Sequence, residues 1–183
     1  MQIRDTIRTF GVGSRAFHWV MATVMIIGGT IGAVMTDLES GAPRNPVLDV
    51  HTAFGLAVFL LALLRVLWRL LNPTPEPLPG TPPLHRLAAK GAHLALYVLM
   101  FALPVSGLLM TWAEGRTLHV FWLHDLPAPY ARDSDFGEIM ERIHESLGAL
   151  LALTLAAHVG AALYHHYVVR DSTLRRMLTG AAE

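Results

Sequence analysis

Residues 143–166 read IHESLGALLALTLAAHVGAALYHH, an apolar stretch with one histidine near its start and another fourteen residues later. A helix crosses the hydrocarbon core of a membrane with about 20 mostly apolar residues, so this stretch is long enough to span it. Ionisable side chains inside a span are costly and often mark a functional site. His144 and His158 are therefore the first candidate site residues.

Three further apolar stretches predict membrane spans. The four predicted spans are residues 17–36, 50–71, 88–112 and 143–169. The composition agrees, since only 15% of the residues are charged, against about 25% in soluble domains. Residues 72–83, NPTPEPLPGTPP, hold six prolines and predict a stiff, non-helical link between the second and third spans. We expect an all-α membrane protein, a four-transmembrane-helix bundle that forms one domain over residues 1–183.

The composition also excludes several classes of site. The chain has no cysteine, which rules out disulfides, iron–sulfur clusters, thiolate zinc sites and covalently attached haem. Its formal net charge is zero, so nothing indicates nucleic-acid binding. Ten histidines remain as the metal-binding side chains of interest.

Basic residues predict the orientation of the spans. Ten of the fourteen lie in the N-terminus, the 65–90 region and the C-terminus, and the other four are Arg44, Arg116, Arg132 and Arg142. Because cytoplasmic segments are enriched in Lys and Arg, both termini are predicted to be cytoplasmic. This orientation puts His18 and His158 near the inner face and His51 and His144 near the outer face. On the fourth span, fourteen residues make nearly four helical turns and roughly 21 Å, so both histidines point to one side.

Two histidines at each level suit haem better than a small ion. Zinc is usually held by three or four protein ligands, whereas haem iron takes two axial ligands. The residue one turn after each histidine is small, which leaves room for a porphyrin: Ala22, Gly55, Gly148 and Ala162. Small residues are also typical of close helix packing, the role that we assign to Gly28 and Gly32. The sequence therefore predicts two stacked haems, each bound by two histidines.

Charged and polar neighbours are expected around the inner haem. Arg15, Arg65 and Arg69 are placed to bind its propionates, and anchoring of the helix ends at the membrane surface explains them equally well. His93 is followed one turn later by the bulky Tyr97, which would crowd a porphyrin. Three roles stay open for His93: a hydrogen bond to a propionate, a place in a quinone pocket, or a bond to a neighbouring helix.

Four motifs together resemble the bacterial cytochrome b561 family, which shares its fold with the cytochrome b subunits of nickel–iron hydrogenases. The motifs are FHW around His18, HTAFGLAVFLLALLRVLWR from His51, AHLALYVLMFALPVSG around His93, and HESLGALLALTLAAHVGAALYHH from His144. The resemblance covers nearly the whole chain. It implies two haem b groups ligated by the histidine pairs above, electron transfer with ubiquinone in the bacterial inner membrane, and in some members oxidation of periplasmic superoxide.

We interpret the chain as a di-haem electron-transfer protein linked to the quinone pool, and thus as an oxidoreductase. A superoxide:ubiquinone oxidoreductase is one form of this activity, although ten acidic against four basic residues on the outer segments would repel an anion. One alternative is a membrane-anchor cytochrome b subunit that links quinone to a separate dehydrogenase or hydrogenase, or another periplasmic redox partner, through the acidic 113–142 loop. The other alternative is a histidine-lined metal transporter.

Overall fold

A computed structural model describes residues 2–35, 46–120 and 124–180. The expected mostly helical fold is confirmed, because four helices are long and apolar enough to cross a membrane. They are α1 (Val12–Met35), α2 (Pro46–Leu70), α3 (Pro83–Ala113) and α4 (Ser134–Tyr164), the last extended by a π-helical turn at His165–Val169. A short helix, α5 (Thr173–Leu178), follows this turn.

The helix ends follow from local chemistry. Asp133 caps α4, because its Oδ1 accepts the backbone N–H of Phe136 at 3.0 Å. Gly115, with a φ of +72°, follows the end of α3 in the left-handed conformation that commonly terminates helices. Pro83 is the first residue of α3, where a proline's missing N–H costs nothing. Each helix begins four to nine residues before the predicted span because its first turns are polar or lie at proline.

One feature was not expected from the sequence. Between α3 and α4, β1 (Leu118–Val120) pairs antiparallel with β2 (His124–Leu126), with His119 opposite Asp125. The Nδ1 atom of His119 lies 2.6 Å from Asp125 Oδ1 across this ribbon. The aromatic residues Phe121 and Trp122, which suit a membrane interface, lie outside the described residues, as do Arg44 and residue 36.

Large apolar side chains cover the outside of the helices. Leu153 is 69% exposed, Leu94 66% and Val98 55%. A soluble protein rarely exposes so many large apolar side chains, whereas lipid is a suitable solvent for them. This surface agrees with four membrane-spanning helices.

The chain divides into two compact units. One contains the described N-terminal segment through Val20, Leu61–Val98 and the described C-terminal segment from Leu151, and it includes the proline-rich connector. The other contains Met21–Leu60 and Leu99–Leu150. His18, His93 and His158 belong to the first unit, while His51 and His144 belong to the second.

Each unit has its own packing. In the first, Ser14 Oγ donates to Asp5 Oδ2 at 2.6 Å and accepts from Trp68 Nε1 at 2.9 Å. Gly13 lets the Trp68 ring approach, because an added Cβ would lie 2.4 Å from a ring carbon. In the second unit, the rings of Phe59 and Phe101 pack edge to face with centroids 5.6 Å apart.

Candidate functional site

His51 and His144 face each other in the second unit. Their ring centroids lie 6.1 Å apart, and the rings are nearly perpendicular at 86°. His51 lies in α2 and His144 in α4, so the two rings come from different helices, as the sequence predicted.

The orientation of His51 is fixed by α1. Its Nδ1 lies 3.1 Å from the carbonyl oxygen of Gly28, and a carbonyl can only accept, so Nδ1 carries the hydrogen. The ring also packs on Gly32, where an added Cβ would lie 2.6 Å from His51 Cε1. The lone pair of His51 is therefore on Nε2, the nitrogen that can bind a metal.

His144 is held in the same tautomer by α3. Its Nδ1 lies 3.1 Å from the Leu103 carbonyl oxygen and 2.9 Å from Ser106 Oγ. The Ser106 hydroxyl donates its own hydrogen to Leu103 at 2.8 Å, so Oγ accepts from His144. Metal-binding histidines usually donate their second nitrogen to such a partner. No pattern in the sequence points to Ser106, and Gly28 and Gly32, expected only to pack against neighbouring helices, contact His51.

Open space follows both histidines of this pair. A Cβ added at Gly55 or at Gly148 would meet no heavy atom within 4 Å in the structure. Each glycine lies one helical turn after its histidine, as the sequence analysis noted. The chain therefore leaves unfilled volume beside both imidazoles.

Three imidazoles come together in the first unit. The His18 and His158 rings have centroids 6.1 Å apart at 54°, and the His93 ring lies 5.4 Å from His158. The Trp19 ring packs edge-on against His18 with centroids 5.0 Å apart. Thus His158 has two histidine neighbours, where the sequence pairing assigned it one.

A cavity of about 450 Å³ opens beside these rings. His18, His93, His158 and Ala162 contribute to its wall. The charged residues that line it are Asp5, Arg65, Arg69, Glu76, Arg86, Lys90 and Arg176. Five of these seven side chains are basic, so the cavity favours an occupant that carries negative charge.

The three arginines predicted to bind propionates differ in placement. Arg65 and Arg69 line the cavity, and Arg65 Nε donates to the Tyr97 hydroxyl at 3.2 Å. Arg15 is not among the described residues of the cavity wall, and its Nη1 donates to the Leu178 carbonyl at 2.8 Å. The structure therefore brings Arg65 and Arg69, but not Arg15, to the cavity.

The geometry of both histidine pairs fits haem. Two imidazoles on opposite sides of a metal, at nitrogen–metal distances of about 2.0 Å, have ring centres roughly 6.3 Å apart. The observed separation is 6.1 Å in both pairs. His93 and His158, at 5.4 Å, are too close for that arrangement. The residues present would thus hold haem iron between His51 and His144 and between His18 and His158.

Comparison with known proteins agrees with this chemistry. A family-wide sequence profile described as prokaryotic cytochrome b561 matches residues 9–180. The chain belongs to the prokaryotic cytochrome b561 family. Cytochrome b561 homolog 2 of Escherichia coli strain K12 is 35% identical over 181 residues, which cover 97% of this chain and 95% of that relative. The probable superoxide oxidase CybB of Yersinia pestis is 30% identical over 164 residues, covering 88% and 90%.

Membership of the family has direct consequences. Cytochromes of this type carry haem b, and electron transport within a membrane is the activity typical of them. The relatives are bacterial, and with four apolar helices this cytochrome b561 family member is a multi-pass protein of the bacterial inner membrane.

Proposed function

We propose that the protein is a di-haem b cytochrome with both termini in the cytoplasm that exchanges electrons with the quinone pool. The proposal rests on two pairs of imidazole rings, with ring centroids 6.1 Å apart within each pair. His18 with His158 and His51 with His144 are the ligands. When bound, haem b supplies a one-electron iron couple, and the protein supplies ligation, orientation and charge.

The ligand set favours electron transfer over oxygen chemistry. The two imidazoles of a pair would both ligate the iron, and a fully ligated haem favours electron transfer over binding of oxygen. Gly28, Leu103 and Ser106 hold Nδ1 of the outer ligands, so each Nε2 keeps its lone pair for the metal. Gly55 and Gly148 would leave room for the porphyrin, while Arg65 and Arg69 would hold its propionates by charge-assisted hydrogen bonds.

A groove beside the cavity suits a quinone. Val66, Arg69, Lys90, His93, Leu94 and Tyr97 line it. Leu94 is 66% exposed on the lipid-facing surface, so an isoprenoid substrate dissolved in the membrane can reach the groove directly. His93 and Tyr97 then offer hydrogen-bonding groups to a quinone carbonyl. We assign His93 to this role because its ring is too close to His158 to share an iron with it.

Superoxide is the second candidate substrate, because the Yersinia pestis relative is named a probable superoxide oxidase. Charge argues against it as the main substrate. The segments predicted to lie outside contain eight acidic and three basic residues among those described. The acidic residues are Asp49, Glu114, Asp125, Asp133, Asp135, Glu138, Glu141 and Glu145. This excess repels an anion.

Two alternative functions make different predictions. A membrane-anchor subunit would dock a separate dehydrogenase on the acidic segment that includes β1, β2 and the start of α4, and it would co-purify with that partner. A metal transporter would need a multi-ligand site, and the described residues contain no group of three or more histidine and carboxylate side chains that could hold a metal ion.

The deciding experiment combines haem analysis with stopped-flow kinetics. We expect two haem b per chain and low-spin reduced spectra, followed by rapid reduction of the haem by ubiquinol. Superoxide, generated separately, is expected to reduce it more slowly, with a rate that rises at high ionic strength as repulsion is screened. One haem or none per chain, or no reaction with ubiquinol, would contradict the proposal.

A further inference from the structure

Arg176 is a buried cation in the short helix α5. Only 6% of its surface is exposed, whereas the neighbouring Arg175 is exposed. Hydrogen bonds at the start of α5 fix the helix so that Arg176 is on its buried side. Asp171 Oδ1 accepts the backbone N–H of Thr173 at 2.8 Å, and the backbone N–H of Arg176 donates to Ser172 at 2.8 Å.

The contacts of Arg176 satisfy its hydrogens only in part. Nη1 donates to the backbone carbonyl of Glu76 at 3.1 Å, and Nη2 donates to that of Arg8 at 2.8 Å. The guanidinium carbon lies 5.4 Å from the centre of the Phe10 ring. Nε is buried and has no acceptor in the structure. Two of the five guanidinium N–H hydrogens are thus satisfied by neutral carbonyls, and the other three have no acceptor among the described residues.

No carboxylate of the described residues forms an ion pair with Arg176, whose acceptors are backbone carbonyls. Asp5 lies in the same cavity wall, but Gly11 N–H and Ser14 Oγ already donate to its two oxygens at 2.7 and 2.6 Å. The side chain of Glu76 is exposed, and only its backbone contacts Arg176. Burial lowers the pKa of Arg176, which reflects the cost of removing the cation from water. Such a cost is normally offset by a buried anion.

Arg176 also lines the cavity beside His18 and His158, together with Arg65 and Arg69. We propose that Arg176 binds a carboxylate of the cavity's occupant through the Nη1 and Nη2 hydrogens that have no acceptor in the protein. The assignment rests on the proposed function insofar as that occupant is haem b, whose propionates are its carboxylates. It adds the short helix α5 to the cofactor site, whereas the site residues expected from the sequence all lie in the four spans or just before the first.

A purely structural role is the competing explanation. Arg176 joins the N-terminal segment to the proline-rich connector through two carbonyls, and that role needs no ligand. The two roles differ in one respect. A structural role of Arg176 would support the binding of every occupant of the cavity equally. A carboxylate contact would strengthen binding only when the occupant carries a free carboxylate.

The experiment compares haem b with its dimethyl ester, which lacks free carboxylates. Full-length protein carrying His144→Ala is used, so that only the His18 and His158 site binds haem, and dissociation constants are measured by titration of the apoprotein. Arg176→Gln is expected to weaken haem b binding roughly tenfold to a hundredfold, as for loss of a charged hydrogen bond. Binding of the ester should change much less. Arg175→Gln is the matched control and should change neither.

Each result bears on the proposal. Equal weakening of haem b and ester by Arg176→Gln, or no weakening of either, would overturn it. If Arg176→Gln does not fold, Arg176→Lys takes its place in the same comparison, and the assignment is overturned unless the affinity for haem b falls more than the affinity for the ester. Absence of binding by both haems would overturn the proposed function along with the assignment, whereas an unchanged preference after Arg176→Gln overturns the assignment only.

Discussion

The hydroxyl oxygen of Ser106 lies 2.9 Å from Nδ1 of His144 and accepts its hydrogen. The same hydroxyl donates to the Leu103 carbonyl at 2.8 Å, so its two hydrogen-bonding functions are both in use. Together with the Leu103 carbonyl, which lies 3.1 Å from the same Nδ1, this side chain of α3 sets the tautomer of a histidine on α4. It leaves Nε2 as the only nitrogen available to a metal.

Ser106→Ala is expected to weaken haem binding by His51 and His144 about tenfold, since loss of such a partner costs at least that much in metal sites. Binding by His18 and His158 should not change. Haem titration followed by difference spectra measures both. Ser146→Ala is the control, because that hydroxyl donates to Arg142 in its own helix at 2.7 Å. Equal effects of the two substitutions would contradict an orienting role for Ser106.

Gly148→Leu is expected to remove the haem of His51 and His144 and to retain the other one. The added side chain would occupy space that is open in the structure, so the chain folds while the porphyrin is excluded. Gly160→Leu, which also enters open space on α4, is the control and should keep both haems. Two haems per chain in Gly148→Leu protein would count against the pairing.

Gly32→Ala should displace the ring of His51, because the new Cβ would lie 2.6 Å from Cε1. We expect about tenfold weaker haem binding at this pair and a shifted reduction potential, as for other losses of ligand orientation. Gly29→Ala is the matched control on α1, since its Cβ would meet no atom within 4 Å. Unchanged potentials in Gly32→Ala protein would show that Gly32 has only a packing role.

His158→Ala and His93→Ala separate the two neighbours in the first unit. His158→Ala is expected to lose the haem shared with His18 and to spare the haem of His51 and His144. His93→Ala should retain two haems but raise the KM for ubiquinol several-fold, since His93 is proposed to contact quinone. Haem counting and steady-state kinetics with a quinol analogue measure these effects. Loss of a haem from His93→Ala protein would reassign His93 as a ligand.

Asp171 predicts a pH dependence of stability. Burial alone would raise the pKa of Asp171, but hydrogen bonds from Thr173 and His165 outweigh it and hold the pKa below its ordinary 3.8. A carboxylate with a lowered folded pKa contributes stability above its ordinary pKa and loses it as pH falls through the folded value. Asp171→Asn should therefore lower Tm at pH 7 by about 2–4 °C. The difference from wild type should shrink below roughly pH 4.

The control for Asp171 is Asp135→Asn, which changes an exposed carboxylate in the first turn of α4. Thermal unfolding in detergent, followed across the pH range, measures all three proteins. A difference between Asp171→Asn and wild type that stays constant down to acid pH would contradict the assignment.

The four helices could be predicted because apolar length alone decides whether a segment spans a membrane. The polar first turns of the helices could not be predicted in this way. Hydrophobicity marks only the segment inside the membrane, whereas a helix can continue beyond it. Asp133, a favourable capping residue, was the available signal for the true start of α4. The ribbon of β1 and β2 lies in a stretch of aromatic and histidine residues that suited an interfacial belt equally well.

The histidine pairs were anticipated from spacing and orientation, whereas their supporting residues were not. Gly28, Gly32 and Ser106 act on histidines of other helices, so their role depends on helix rotation, which a single sequence does not specify. The positions of the charged side chains Arg15 and Arg176 were equally hard to predict. Both were counted as cytoplasmic cations, and only the fold shows that Arg176 lines the cavity while Arg15 binds the Leu178 carbonyl.

Arg176 contacts the main-chain oxygens of residues 8 and 76 and not their side chains. Evolution can therefore exchange the amino acids at those two positions without losing the contacts. A deletion of one residue from the proline-rich connector is different, because it would carry the acceptor at position 76 out of reach. The length of the connector is therefore constrained more strictly than its amino-acid sequence.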